Sequence, residues 1–324
     1  MQQIKWGILG SAHIAETQLI PAIRRVSGTD VIAVASRDSG RGEQFAKQNL
    51  IPIVEDCYES LLDNPDVDAV YIPLPNHEHA KWTIRAAQSG KHVLCEKPLA
   101  LNEQEVKSMI EAASTNGIVL MEAFMYPIHP QWDRVRALIN SGEIGQIQII
   151  TSNFSFPLTK SNDIRMNRAY GGGALYDVGT YCVHVSRTLM QEEPLYVTAV
   201  AHFHETNDID LTLSGILRFS GGRIAHFDCS FEAPDRQYVE IVGTSGSIVV
   251  THPFRPDKGH AELIVRKGAE VRMEPVLDTN QYVKEIEYFC DAIRNQNTLE
   301  DTRDASLAQA RTLDRLYRSA RAEA

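Results

Sequence analysis

The chain has no Cys-x-x-Cys motif, and its five cysteines (Cys57, Cys95, Cys182, Cys229 and Cys290) are scattered. An odd, unpatterned set argues against a disulfide framework or a cysteine zinc ribbon. It fits free thiols in a reducing compartment. No window approaches the ~18 uncharged apolar residues that a membrane helix requires. The N-terminus lacks a basic segment followed by a long apolar stretch, so no export signal is expected and the expected location is the cytoplasm. An excess of positive charge is missing too. The formal net charge is −10, which argues against a nucleic-acid backbone or an anionic membrane as partner. One small phosphate in a local cationic pocket is still compatible with that balance. Nucleophile elbow, P-loop, basic aromatic patch, internal repeat and low-complexity tract are all absent.

What remains is a chain of 324 residues, 43% hydrophobic and 23% charged. That is the composition of a globular protein, at a length that favours two domains. Residues 1–123 alternate strand-like and helix-like segments: Ile4–Leu9, Ile14–Val26, Val31–Ala35, Arg41–Gln48, Asp68–Ile72, Asn76–Gln88, His92–Cys95, Asn102–Thr115 and Ile118–Met121. Pro21 predicts a kink or register change in the first helix. Asn76 and Asn102 are candidate N-caps. The rhythm predicts an α/β domain with a doubly wound parallel sheet of the Rossmann type.

Residues 124–324 read differently. Strand candidates at Ile147–Phe156, Tyr196–His204, Leu211–Phe219, Arg223–Phe231, Gln237–Val242 and Ser247–Val250 follow one another, joined by turns such as Ser220-Gly221-Gly222 and Thr244-Ser245-Gly246. They predict an open, mostly antiparallel sheet. Helices are expected at Gln131–Ser141, Ala174–Met190, Gln281–Asn295 and Arg303–Arg321.

Three segments carry chemistry. Gly7-Ile8-Leu9-Gly10-Ser11-Ala12-His13-Ile14-Ala15 runs from the first strand into the first helix. It aligns with G-x-G-x-x-G/A, with Ala12 in place of the second glycine, and the strand–loop–helix context suits a pyrophosphate on the helix amides. Taken alone it also fits an ordinary tight turn. The second strand ends in Ser36-Arg37-Asp38. Ser36 and Arg37 suit an adenosine 2′-phosphate, favouring NADP over NAD, and Asp38 caps the next helix. Glu96-Lys97-Pro98 places a lysine beyond a strand end, on the edge where such sheets bind ligands; a surface turn is the plain alternative.

Gly171-Gly172-Gly173 then opens a helix on which Asp177, Tyr181 and His184 stand at i, i+4 and i+7, on one face. Hydride transfer at a carbon bearing oxygen needs a proton acceptor or donor on that oxygen. A phenol titrating near ~10 is a poor base until a cation favours phenolate. Lys97 and Tyr181 suit that relay, with Asp177 orienting a hydroxyl. On helix spacing alone Tyr181 also fits a core aromatic, and His184 a packing residue. No metal site is expected. His77 and His79 face different directions on a helix, and His202, His204 and His226 fit a solvated or interface face.

With these marks and Glu122-Ala123-Phe124-Met125-Tyr126, the chain resembles the glucose–fructose oxidoreductase, inositol dehydrogenase and MocA family over nearly its whole length. The resemblance implies a catalytic Lys97 and a second domain whose open sheet forms homodimers or tetramers. It implies a cofactor surround of Gly7, Gly10, Ser11, Ala12, His13, Ile14, Ser36, Arg37, Leu74, Asn76, His79, Glu96 and Lys97, with Arg165 facing cofactor or substrate. Tyr181 resembles the branch with D-xylose dehydrogenase and dimeric dihydrodiol dehydrogenase, as does Asn162-Asp163-Ile164-Arg165. The implied activity is NADP-dependent oxidation or reduction of a sugar or cyclic polyol, aldose to lactone first, diol or ketosugar second. A nucleotide-binding regulator on the same fold is the alternative; it would need neither Lys97 nor Tyr181.

Overall fold

Short apolar runs in the first part of the chain assemble into one parallel sheet. A computed structural model describes residues 3–160, 162–259 and 261–322. Its strands β1 (Ile4–Leu9), β2 (Thr29–Ala35), β3 (Ile53–Glu55), β4 (Ala69–Ile72), β5 (His92–Cys95) and β6 (Leu120–Glu122) pair in the order β3-β2-β1-β4-β5-β6. All these pairings are parallel. Every residue of β4 is buried, as helices on both faces of a parallel sheet require. The strand order reverses between β1 and β4, the switch point at which such sheets take ligands.

The connecting helices are α1 (Ile20–Arg25), α2 (Ser39–Gln48), α3 (Tyr58–Asp63), α4 (Asn76–Gln88) and α5 (Glu103–Thr115). The register change expected near Pro21 is a π-helical turn, Ala15–Leu19, after which Pro21 sits in the first turn of α1. Asp38 caps α2, accepting from Arg41 N at 2.9 Å, and Asn102 caps α5, accepting from Glu105 N at 2.9 Å. Asn76 is the first helical residue of α4; the cap position belongs to Pro75.

The chain forms two compact units. The first runs to Met125 and also contains Gln281–Leu307; the second is Tyr126–Asn280 with the segment from Ala308 onward. This differs from a single cut at 123/124. The cause is the buried face of α8 (Gln281–Arg294), which packs Phe289 on Trp6 with ring centres 5.2 Å apart. Arg294 also donates to Ser27 O at 2.8 Å. The long helix α9 (Glu300–Ala322) contributes to both units.

The second unit holds α6 (Pro130–Asn140), α7 (Thr180–Met190) and strands β7 (Ile147–Ser155), β8 (Tyr196–Phe203), β9 (Asp210–Arg218), β10 (Ile224–Ser230), β11 (Arg236–Gly243), β12 (Ser247–Val250), β13 (Glu262–Lys267) and β14 (Glu270–Pro275). They form one sheet in the order β14-β13-β12-β11-β7-β10-β9-β8. Only β7 and β10 run parallel. Leu175–Gly179 and α7 pack on β7 and β10. Along β9, buried Leu213, Gly215 and Leu217 alternate with exposed Ser214, Ile216 and Arg218, so one face is core and the other is open. Among the described residues no helix is long and apolar enough to cross a membrane.

Candidate functional site

The C-terminal ends of β1, β2, β4 and β5 lie on one edge of the parallel sheet. They carry Gly10, Ser36-Arg37, Leu74 and Glu96-Lys97 respectively. Gly10 has φ +103°, and its N–H donates to Ala35 O at 2.7 Å, tying the loop to the end of β2. That φ favours glycine, and a Cβ there would also sit tightly, 3.0 Å from Leu74 Cδ2. Ser11, Ala12, His13 and Ile14 lead into the helix, where Ala12 O accepts from Ala15 N at 3.1 Å. Ser36 is buried and Arg37 exposed. The Tyr58 hydroxyl neighbours Arg37; burial is the main cause that raises the Tyr58 phenol, and the guanidinium opposes it.

Two residues expected around a cofactor have a structural task. Gly7 lies inside β1, opposite Ala33 and Val70, and a Cβ on it would meet Leu61 Cδ2 at 2.6 Å. Its missing side chain makes room for Leu61 of α3. His79 is fully buried, with Nδ1 2.9 Å from Pro98 O and Nε2 2.8 Å from Leu74 O. Burial lowers its pKa. It braces two loops of the ligand edge against each other from beneath.

The lysine loop is held at several points. Glu96 N donates to Ile72 O at 3.2 Å, and the Glu96 carboxylate accepts from Tyr71 Oη at 2.5 Å and from Lys97 N at 3.3 Å. Burial, with Glu96 beside it, pushes the Tyr71 phenol well up, so it remains a donor. The Lys97–Pro98 peptide is cis. Leu99 N donates to Glu122 Oε1 at 3.0 Å, which gives the glutamate of Glu122-Ala123-Phe124-Met125-Tyr126 a structural task.

In the second unit the triple glycine is a packed corner. Gly171 is left-handed at φ +76°. A Cβ on Gly172 would fall 2.2 Å from Arg165 O, and one on Gly173 would fall 2.1 Å from Asp210 Oδ1. The helix then starts with a π turn, Leu175–Gly179, before α7. Such turns recur at functional sites. Asp177 lies in the π turn and Tyr181 in α7, so a change of helical pitch separates them.

Arg165 donates to Asp177 Oδ2 at 2.7 Å through Nε and to Asp163 Oδ1 at 3.2 Å through Nη1. The two acids, Asp177 foremost, hold its guanidinium charged. Arg165 is therefore first a partner of Asp177. Tyr181 is 5% exposed and ringed by aromatics, with centroids 5.4 Å to Phe154, 5.4 Å to Phe254 and 5.8 Å to Tyr126. The Tyr126 hydroxyl lies 2.6 Å from His184 Nδ1. Burial, with the Arg187 charge adding to it, lowers the His184 pKa to about 3. A ring so hard to protonate is a poor general base. Phe154 and Phe254 gave no signal in the sequence; only the fold brings them to Tyr181.

Residues 4–124 match an oxidoreductase family with an NAD-binding Rossmann fold, and residues 132–249 match the GFO/IDH/MocA C-terminal domain. A D-xylose 1-dehydrogenase (NADP(+)) of Haloferax volcanii is 37% identical, the match covering 97% of each chain. A dTDP-3,4-didehydro-2,6-dideoxy-alpha-D-glucose 3-reductase of Actinomadura kijaniata is 31% identical over 98% of this chain and 96% of that one. The crystal structure of a 3-ketoreductase from Actinomadura kijaniata, in complex with NADP and TDP-benzene, superposes with a TM-score of 0.93 at 30% identity, covering 98% of both chains. Two matched domains spanning most of the sequence, on the sheet orders described above, place this chain in the glucose–fructose oxidoreductase, inositol dehydrogenase and MocA family of oxidoreductases.

Proposed function

We propose that the chain is an NADP-linked oxidoreductase that moves hydride to or from a sugar or other cyclic polyol. The observation that carries this reading is the C-terminal edge of the parallel sheet, which carries the Gly10 loop after β1, Ser36-Arg37 after β2 and Lys97 after β5. The residues suit a dinucleotide. Gly10, at φ +103°, lets the backbone approach a pyrophosphate, and helix amides follow it. Ser36 and exposed Arg37 suit a 2′-phosphate. Relatives named for NADP, and a similar fold solved with NADP, support the same choice.

When bound, the nicotinamide supplies or accepts the hydride. Tyr181 takes the substrate hydroxyl proton in the oxidative direction and returns it in the reductive one. Lys97 holds the reacting oxygen and favours the phenolate form of Tyr181. Arg165 orients Asp177, which positions a ring hydroxyl. Tyr126, Phe154 and Phe254 fix the Tyr181 ring and keep water from it. Aldose oxidation at the anomeric carbon is the first substrate class, as in the xylose dehydrogenase relative. Ketosugar reduction is second, favoured by the 3-reductase relatives. Catalysis is preferred to a regulatory role because a sensor needs neither Lys97 nor Tyr181.

The open face of the second sheet supports self-association. Ile149, Val200, Ile216 and Ile224 are 41%, 60%, 46% and 39% exposed on neighbouring strands. A second copy covering them gives a homodimer, or a dimer of dimers. Five free thiols, four of them buried, support a cytoplasmic setting. The test of function is an absorbance screen for reduced nicotinamide, with NADP and NADPH, against aldoses, inositols, dihydrodiols and ketosugars. Turnover of at least one carbohydrate is expected; NADP binding without turnover of any class would favour the regulator.

A further inference from the structure

We infer that Asp210 is a positioning residue for the reaction: its buried carboxylate sets the glycine corner from which the helix bearing Asp177 and Tyr181 begins. The inference rests on the roles proposed for those two residues. Asp210 opens β9 and is 0% exposed. Its Oδ2 accepts from Leu175 N at 2.6 Å, at the first turn of the helix. Its Oδ1 is buried without a hydrogen-bond partner. That oxygen occupies the space that a Gly173 side chain would need, at 2.1 Å from an ideal Cβ, and Gly173 itself holds φ +117°.

From the other side, Gly173 N donates to Arg165 O at 3.0 Å. The corner is thus clamped between the carbonyl of the residue that grips Asp177 and the carboxylate of Asp210. A shift of either jaw moves the start of the helix, and with it the proposed positioning residue Asp177 and the proposed base Tyr181. Stability alone gives little reason to keep an ionisable group here, because a buried carboxylate is costly when its donors only partly replace water. A helix start attracts negative charge, yet the backbone amides of Leu175, Asp210 and Ala174 and the Arg321 guanidinium only partly offset burial, which lifts the carboxyl to about 7. Cys229 is a further neighbour. A costly group whose hydrogen bond is made to the start of the helix proposed to carry Asp177 and Tyr181 is explained by geometry that the reaction requires.

The test uses the full chain, with NADP and the carbohydrate turned over fastest in the screen. Asp210→Ala is expected to lower kcat by about 10²-fold, the loss typical of a small misplacement, while KM and NADP affinity change less than about threefold. Asp210→Asn keeps an acceptor oxygen and is expected to recover most of that loss. Gly173→Ala attacks the same contact from the opposite side. It should lower kcat alone, and lower it less in the Asp210→Ala background. Wild-type kcat in Asp210→Ala overturns the inference. So does a loss that merely tracks the folded fraction by circular dichroism, or strict additivity of the Gly173→Ala and Asp210→Ala effects. Failure of the underlying site is separate: it appears as near-normal turnover in Tyr181→Phe.

Discussion

His184 sits on α7 one turn beyond Tyr181 and is the obvious rival for the proposed role of base, so its protonation state is worth predicting in detail. The ring is half-buried, its Nδ1 faces the Tyr126 hydroxyl at 2.6 Å, and its pKa lies at about 3. Burial is the larger cause and the Arg187 charge the smaller. At pH 5 a ring with that pKa is about 1% protonated, against about 97% for a free imidazole. Below pH ~6.5 the unfolded chain binds a proton that the folded ring refuses. Stability from this group is therefore present above pH ~6.5 and lost as pH falls towards 3, by at most ~1.4 kcal/mol per unit. Between pH 6.5 and 5 the loss is up to about 2 kcal/mol, less where solvent reaches the exposed part of the ring. Imidazole NMR titration, with His184→Asn to assign the signal, should show no His184 midpoint between pH 5 and 9. In denaturant melts, the Asn variant should lose less stability than wild type as pH falls from 6.5 to 5. A midpoint near 6.5 would refute the reasoning and return His184 as a base.

Other expectations follow from the two units. Arg37→Asp should weaken NADP by about ten- to a hundredfold, the range of a charge-assisted phosphate contact, with little effect on NAD; fluorescence titration of both nucleotides checks it, and tighter wild-type binding of NAD than NADP would contradict it. Ile216→Asp places a charge among the exposed apolar residues of β7 to β10 on the open sheet face and should shift a dimer towards monomer in light scattering at micromolar concentration. A wild-type monomer under those conditions would remove the proposed self-association.

The parallel sheet was legible because β1, β2, β4 and β5 are nearly continuous apolar runs between turn residues. β3 and α3 were not. The strand has three residues, and the helix cap is Cys57, whose Sγ accepts from Ser60 N at 3.4 Å in a place where serine or aspartate is the usual signal. The β13–β14 hairpin escaped notice because Val271 and Met273 are the only apolar alternation in a short, mostly charged outer strand, and both are exposed, at 58% and 64%. The return of α8 to the first unit was hidden because an amphipathic face does not name its partner. At the site, motifs brought Lys97, Asp177 and Tyr181 forward. Strand register gives Gly7 a packing task inside β1, three residues before Gly10. Asp210, Phe154 and Phe254 were out of reach, since nothing local links them to residues 173–181.

The central claim is that Tyr181 and Lys97 work as one proton relay. Its most direct measurement is a double-mutant cycle of kcat with Tyr181→Phe and Lys97→Ala, using NADP and the best carbohydrate substrate. Tyr181→Phe keeps the ring in its aromatic cage and removes only the hydroxyl. Loss of general acid–base catalysis should lower kcat by roughly 10²–10⁴-fold, while NADPH still binds measurably. Lys97→Ala should lower kcat as well, and the double variant should lose far less than the product of the two, because residues acting as a unit are not additive. Near-normal kcat in Tyr181→Phe, or full additivity across the cycle, would contradict the relay.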